Sequence, residues 1–209
     1  MRIILITFFF ITSVAVLARD RIQVNEYSEF IEISHNTLRY TDSTKSLDIK
    51  NIISLPKSAW KNVGLNGFTS NVEWAQVLFE NNTEKEFDKV LYLNNLFTYE
   101  AEFHFIVNGR LQNKSVTTGL SKPFNSKIYA DPMYPIKVHF PAKSRVDVFI
   151  KVRNPMSTTN TPLFLISYDK AAELKEIRMS ISFFWAGILT LSLTLSLFLY
   201  ISIRQKIFL

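Results

Sequence analysis

Aromatic side chains set among polar ones are the residues of this chain best suited to bind a ligand. Trp60 lies in a polar stretch that also contains Lys57, Lys61 and Asn62. An aromatic ring can cover the apolar side of a sugar, while neighbouring amide and charged groups bind its hydroxyls. Trp60 is therefore a candidate ligand-binding residue, with packing inside the protein as the commoner alternative for such a ring.

A second group of the same kind lies nearer the C-terminus. Tyr129 and Tyr134 flank Asp131, and Asn125 precedes them. We predict that these four residues, together with Trp60, bind a small molecule or a carbohydrate. Core or loop packing is again the alternative for both tyrosines.

The chain offers little for catalysis or metal binding. His35, His104 and His139 are far apart in sequence, and none has the His-x-x-x-His spacing typical of metal ligands. The absence of cysteine excludes thiol nucleophiles and thiolate metal sites. Carboxylates such as Glu100 and Asp147 form no recognisable catalytic pair. We therefore expect no enzyme activity, no cofactor and no metal.

Short β-strands are the elements expected to position the candidate residues, because apolar residues recur at every second position between turn residues. Ala75 is expected on the core face of its strand, which leaves Trp74 on the opposite face. Strands are predicted at residues 29–33, 47–53, 74–81, 87–94, 101–107, 111–116, 136–140, 145–153 and 163–167.

Two hairpins and an overall fold follow from these strands. Asn108-Gly109 predicts a two-residue turn between the strands at 101–107 and 111–116. Residues 141–144 are expected to join the strands at 136–140 and 145–153 in a second hairpin. About eight antiparallel strands, each with one polar face, predict an all-β, jelly-roll-like sandwich of two sheets. No helical periodicity is expected before Tyr168.

A transmembrane helix is predicted at residues 179–203. These 25 residues contain no charged side chain, and a helix of that length crosses the roughly 30 Å hydrocarbon core of a bilayer. Residues 169–178 are expected to form a helical link, capped by Ser167 or Asp169, between the β domain and the membrane. Residues 204–209 form a short basic tail, which the positive-inside rule places in the cytoplasm.

The N-terminus predicts export of the domain that precedes this helix. Arg2, an apolar run at 3–17 and Val16-Leu17-Ala18 have the pattern of a signal peptide comprising residues 1–18. An uncleaved anchor helix is the alternative. Either way residues 19–168 form a periplasmic domain, and the expected location is the bacterial inner membrane.

The charge of the chain argues against one class of partner, nucleic acids. The whole chain carries a net charge of +6, and residues 19–178, with 21 basic and 18 acidic side chains, carry only +3. No basic patch typical of a nucleic-acid-binding protein is present, so we expect no nucleic-acid partner.

The order of these features resembles a known family. A Trp-x-x-x-x-x-Glu-Asn strand runs from Trp74 to Asn81, after a loop with Gly64 and Gly67 and before the Asn108-Gly109 turn. Over roughly residues 29–200 the chain resembles the extracellular jelly-roll domain and first membrane helix of bacterial seven-transmembrane receptors with diverse intracellular signalling modules. The resemblance implies a ligand-sensing domain similar to carbohydrate-binding modules. Six helices and the cytoplasmic effector do not follow here, so both a truncated receptor and a natural short protein remain open.

The membrane helix is expected to have partners besides lipid. Ser182, Ala186, Thr190 and Thr194 stand four residues apart on one face, and small residues let helices approach closely. We expect contact with another membrane protein or a second copy of the chain. The alternative is that the hydroxyls bond to their own helix backbone. In function, the alternative to a sensor is a non-catalytic interaction subunit that binds a protein partner.

Overall fold

A computed structural model describes residues 21–62, 69–123, 134–155 and 162–203, and the backbone alone of residues 204–207. Within these residues lie eleven strands and two α-helices. The strands are β1 (Ile22–Val24), β2 (Phe30–Glu32), β3 (Leu38–Asp42), β4 (Val72–Asn81), β5 (Phe87–Leu93), β6 (Glu100–Val107), β7 (Arg110–Leu111), β8 (Val116–Thr118), β9 (Ile136–Phe140), β10 (Ser144–Arg153) and β11 (Leu163–Ile166). The helices are α1 (Ile49–Ile53) and α2 (Tyr168–Ile207), with short 3-10 turns at Ser34–Asn36 and Lys57–Ala59.

The strands form two sheets that pack face to face. The first sheet has the order β1-β4-β10-β6-β7, with β3 also paired to β4 and β8 to β6. The second sheet has the order β2-β11-β5-β9. Inward-facing side chains of both sheets form one apolar cluster. The predicted two-sheet sandwich followed by an apolar helix is therefore confirmed, with more strands than expected because several have only two or three residues.

Strand β10 shows why the sequence folds this way. Val146, Val148, Ile150 and Val152 are all buried in the core between the sheets, as their alternation predicts. Each such side chain contributes roughly 1.5–3 kcal/mol through burial. The intervening residues of β10 consequently face outward, away from the second sheet.

The hairpin predicted across residues 141–144 is wrong. Strand β9 pairs with β5 in the second sheet, whereas β10 pairs with β4 and β6 in the first. The chain therefore crosses from one sheet to the other at Pro141–Ser144, where the Ser144 hydroxyl donates to the Pro141 carbonyl at 2.6 Å. Alternation is the same for a hairpin and for a crossing, so it cannot tell them apart.

The strand predicted at residues 47–53 is also wrong, and so is the expectation of no helix before Tyr168. Residues 49–53 form α1, which begins with a reciprocal capping box: Asp48 accepts from the Asn51 backbone, and the Asn51 side chain accepts from the Asp48 backbone. Such a cap satisfies free N–H groups at the start of a helix. Packing of Ile52 against the first sheet completes the stabilisation of this short element.

The Asn108-Gly109 turn is confirmed. Asn108 has φ 49° and Gly109 has φ 77°, the left-handed values that a two-residue hairpin turn requires. The predicted return strand at 111–116 is instead two short strands, β7 and β8, which pair with opposite ends of β6.

We distinguish the two ends of the sandwich by the connections they contain, and call them the corner end and the helix end. The corner end contains the connections at residues 82–86 and 141–143, where the chain passes between the sheets. The helix end contains the loop at residues 94–99, which follows β5. Helix α2 runs back along the outside of the second sheet and leaves the domain at the helix end.

Helix α2 is fixed to the second sheet at its start. The Lys170 backbone N–H donates to the Ser167 hydroxyl at 3.2 Å, so Ser167 caps the helix. Ala171 and Leu174 then pack against Val90 and Tyr92. The helix is continuous from Tyr168, so no break separates its docked segment from its apolar segment.

The remainder of α2 is exposed. Among the described helices, the part of α2 between Tyr168 and Ile203 is long and apolar enough to cross a membrane. The hydroxyls of Ser182, Thr190 and Thr194 bond to carbonyls one turn back in the same helix, at 2.8–2.9 Å. The backbone-bonded alternative for these residues is thus what the structure shows, while contact with another helix stays a prediction.

A loop centred on Asp42 leads into residues 43–60, whose apolar side chains pack on the outer face of the first sheet. We call these residues the covering segment. Asp42 is buried and accepts four hydrogen bonds, from the Thr44 N–H, the Thr44 hydroxyl, the Lys45 N–H and the Leu47 N–H, at 2.6–3.0 Å. Burial alone would raise the pKa of Asp42, but these hydrogen bonds outweigh it and lower the pKa.

We expect Asp42→Asn to lower the free energy of unfolding at pH 7 by about 1–2 kcal/mol, because an amide cannot accept all four bonds. A depressed carboxyl pKa gives stability that is complete above the ordinary value of about 4 and is lost as the pH falls through the folded-state value. The difference between wild type and variant should therefore shrink below about pH 4. Urea unfolding of the full chain in detergent, followed by tryptophan fluorescence, measures it. Glu84→Gln is the control, since that side chain is 83% exposed, and an equal pH dependence in both variants would contradict the assignment.

Candidate functional site

An open groove of about 910 Å³ lies on the outer face of the first sheet, toward the corner end. Its floor consists of outward-facing residues of β4 and β10, which lie directly opposite each other in the sheet. Side chains of β1, α1 and the 3-10 turn after it form the sides. The lining residues are Arg21, Gln23, Ile52, Ile53, Leu55, Lys57, Trp60, Gln76, Leu78, Glu80, Arg145, Asp147 and Phe149.

The polar part of the floor is a network of charged and amide groups. Arg145 Nε donates to Glu80 Oε1 at 2.9 Å, and Gln23 Nε2 donates to Glu80 Oε2 at 2.9 Å. Arg21 Nη1 lies 2.6 Å from Asp147 Oδ1 and also donates to the Phe79 carbonyl. These bonds orient the side chains, and each guanidinium and carboxylate has further hydrogen-bonding capacity for a ligand.

The apolar side of the groove is formed by the covering segment. Ile53 is 42% exposed, so a ligand can reach it. Trp60 packs edge-on against Phe149, with ring centroids 5.9 Å apart. Its side chain is buried, so it offers little surface to a ligand. The groove therefore has an apolar wall beside a polar floor.

The electrostatics of the floor favour binding over proton transfer. Hydrogen bonds from Gln23 and Arg145 lower the pKa of Glu80, which keeps this carboxylate ionised. A general acid would need a raised pKa instead. Lining residues Arg21, Lys57 and Arg145 against two carboxylates leave the groove slightly positive. Among the described residues, no cluster of histidines and carboxylates could hold a metal ion.

The predicted site residues have separate locations. Trp60 lines the groove. Tyr134 belongs to the core: it is 2% exposed, and its hydroxyl donates to the Leu96 carbonyl at 2.9 Å. This is the packing alternative for Tyr134, which we leave out of the candidate site. Asn125, Tyr129 and Asp131 lie outside the described residues.

Trp74 faces outward on β4, as its strand pattern predicts, but it is not available to a ligand. The covering segment buries it to 1% exposure, and its ring stacks on His104 with centroids 5.9 Å apart. Burial lowers the pKa of His104, so this stack favours a neutral imidazole. Trp74 and His104 consequently belong to the packing of the outer face.

The sequence did not point to the polar floor of the groove. Glu80 and Arg145 are 65 positions apart, and each reads as an ordinary outward residue of its strand. Only the pairing of β1, β4 and β10 brings Arg21, Gln23 and Asp147 beside them. Alternation identified which residues face outward, and it contained no signal for which strands are neighbours.

The family of this chain follows from comparison with known proteins. Residues 34–167 match the protein family described as 7TMR-DISM extracellular 2, and no curated protein matches the chain. The solved structures that match include the native structure of a family 35 carbohydrate binding module from Clostridium thermocellum, at 10% identity over 66% of this chain and 96% of that one, with a TM-score of 0.30. A TM-score this low supports no conclusion about the fold or the ligand of this chain. The family match covers the sandwich from Ser34 to Ser167 and more than half of the 209 residues, so the chain belongs to the 7TMR-DISM extracellular 2 family, the extracellular region of seven-transmembrane receptors.

Proposed function

We propose that the sandwich is the sensory domain of a bacterial membrane receptor and that the groove binds a saccharide or a similar polyhydroxylated small molecule. The family match supports the assignment of the sandwich as a receptor domain. An extracellular domain followed by one apolar helix fits a single-pass membrane protein. The groove supports the ligand class. Its paired guanidinium and carboxylate groups suit neighbouring hydroxyls, and its apolar wall suits the face of a sugar ring.

The observation that carries this proposal is the bond between Arg145 and Glu80 on the groove floor. The Arg145 side chain is 66% exposed and the Glu80 side chain 20%, and both line the groove. A hydroxyl that donates to Glu80 and accepts from Arg145 satisfies both charges without displacing either from the other. The slight positive charge of the lining extends the ligand class to acidic saccharides.

We propose that α2 carries the signal from the sandwich into the membrane. We place α2 across the inner membrane, with the sandwich in the periplasm and the C-terminus in the cytoplasm. The docked start of the helix links any movement of the second sheet to the membrane segment. From there the signal would reach other membrane proteins through helix contacts.

We expect Arg145→Ala to weaken ligand binding at least about tenfold, because a hydrogen bond to a charged group contributes about 1.5–3 kcal/mol. Calorimetric titration of the full chain in detergent with a panel of neutral and acidic saccharides measures this. Ile53→Arg should also weaken binding, since it fills the apolar side of the groove.

Lys137→Ala is the matched control for Arg145→Ala. Lys137 also bonds a carboxylate on the neighbouring strand, Asp88 at 2.7 Å, but in the second sheet. The affinity of the Lys137→Ala variant for the ligand should stay within about twofold of wild type. Saturable binding that both groove variants leave unchanged would remove the groove from the proposal. If no saccharide of the panel binds and one protein partner binds stoichiometrically, the result would favour the interaction subunit instead.

A further inference from the structure

Three large apolar side chains project from the helix end of the sandwich. Leu96 is 45% exposed, Phe97 67% and Leu120 56%. They lie on two adjacent loops, which follow β5 and β8. We call these three residues the apolar tip.

The loops hold the apolar tip in a fixed position. The Phe97 N–H donates to Asn95 Oδ1 at 3.0 Å, and the Leu120 N–H donates to the Thr98 carbonyl at 2.9 Å. The buried Tyr134 hydroxyl holds the Leu96 carbonyl from the core side. With their backbones bonded in this way, the loops cannot fold the tip inward without losing hydrogen bonds.

Along the axis of α2, the apolar tip lies level with the point where the charge-free stretch of the helix begins. The Arg178 guanidinium lies 5.6 Å from the ring centroid of Tyr92, near the end of β5. The charge-free stretch of α2 begins at the next residue, Met179. The loop with Leu96 and Phe97 starts at the same end of β5, and one turn of helix rises about 5.4 Å. Lipid that surrounds the first turns of the membrane helix is therefore within reach of the tip.

We propose that Leu96, Phe97 and Leu120 insert into the interfacial layer of the membrane that α2 crosses. The cations around them suit anionic headgroups: Lys122, which lies 3.8 Å from Glu100, Arg153, which stacks on Tyr99, and Arg178. Because α2 tethers the domain to the bilayer, the tip meets lipid at a high effective concentration, and three side chains suffice for persistent contact. The second contact fixes the tilt of the domain relative to the membrane, independently of any ligand in the groove.

The chain contains no cysteine, so single labels can be introduced at chosen sites. We would attach an environment-sensitive fluorophore to Phe97→Cys or Leu120→Cys in the full chain. Each variant is placed, one chain per disc, in nanodiscs of phosphatidylethanolamine and phosphatidylglycerol that contain headgroup-proximal doxyl lipid. Tyr27→Cys is the matched control, because Tyr27 is an aromatic residue that is 78% exposed beside Glu26, which pairs with Lys85 of the corner end.

The expected result is blue-shifted emission at both tip positions and at least about threefold more quenching by doxyl lipid than at position 27. Equal emission and equal quenching at all three positions would overturn the proposal. A blue shift without lipid quenching would also overturn it, since the tip would then be covered by protein. Agreement between the two tip variants guards against one of them being misfolded.

Discussion

Replacing Asn81 with alanine is expected to lower the free energy of unfolding of the domain by about 3 kcal/mol. Asn81 is fully buried at the corner end. Its side-chain amide donates to the Lys85 carbonyl at 2.9 Å and to the Pro141 carbonyl at 2.7 Å. Its oxygen accepts from the N–H and the hydroxyl of Thr83, at 2.9 and 2.8 Å.

These bonds tie together the two connections of the corner end, at residues 82–86 and 141–143. Alanine leaves several partner groups unsatisfied in a buried place, and each such group costs about 1–3 kcal/mol. Urea unfolding of the full chain in detergent measures the loss. Asn82→Ala is the control, because that exposed side chain bonds only Gln23 among the described contacts, and we expect a change within about 0.5 kcal/mol. A similar small change in Asn81→Ala would show that the corners are held by other contacts.

Gly119→Ala is expected to destabilise the domain by about 3 kcal/mol or more. Gly119 has φ +126°, and a Cβ atom there would lie 2.4 Å from the Tyr99 carbonyl oxygen and 2.9 Å from the Glu100 Cα. Both neighbours are backbone atoms, one at the end of the adjacent loop and one at the start of β6, so neither can rotate away. The same carbonyl also accepts from the Ser121 N–H, and the substitution would break that bond.

Gly109→Ala is a comparison at a positive φ without the clash. Gly109 also has a positive φ, +77°, but a Cβ atom there would meet nothing within 4 Å. We therefore expect a cost of about 1 kcal/mol, from the left-handed conformation alone. Equal costs at the two glycines, measured by the same urea unfolding, would contradict the close approach of the loops at the helix end.

The parts of the fold that sequence predicts here are those fixed by local pattern. The buried face of β10 follows from alternation, because a strand with one face in the core must repeat its apolar residues at every second position. The Asn108-Gly109 turn follows from two residues that tolerate a positive φ. Neither inference depends on which segment lies next to the strand.

The failures are those that depend on distant neighbours. Strand β9 has the same pattern whether it pairs with β10 or with β5. Residues 47–53 contain enough apolar residues for a strand, and the helix forms because its cap and its packing on the first sheet outweigh that preference. For the candidate site, Trp60 can be chosen from sequence because an aromatic among lysines is visible there, and its part in binding stays a prediction. Glu80 and Arg145 become a pair only through strand register.

The groove and the docked start of α2 lie on opposite outer faces of the sandwich, with the apolar core between them. A ligand in the groove therefore has no direct contact with the helix. If the groove binds a ligand as proposed, the sandwich lies between that ligand and the helix, and a displacement at the groove would reach α2 through the contacts between the two sheets. Close-packed interiors have low compressibility, so under this proposal the stiffness of the coupling would depend on core side chains such as Phe79 and Val148, which do not line the groove.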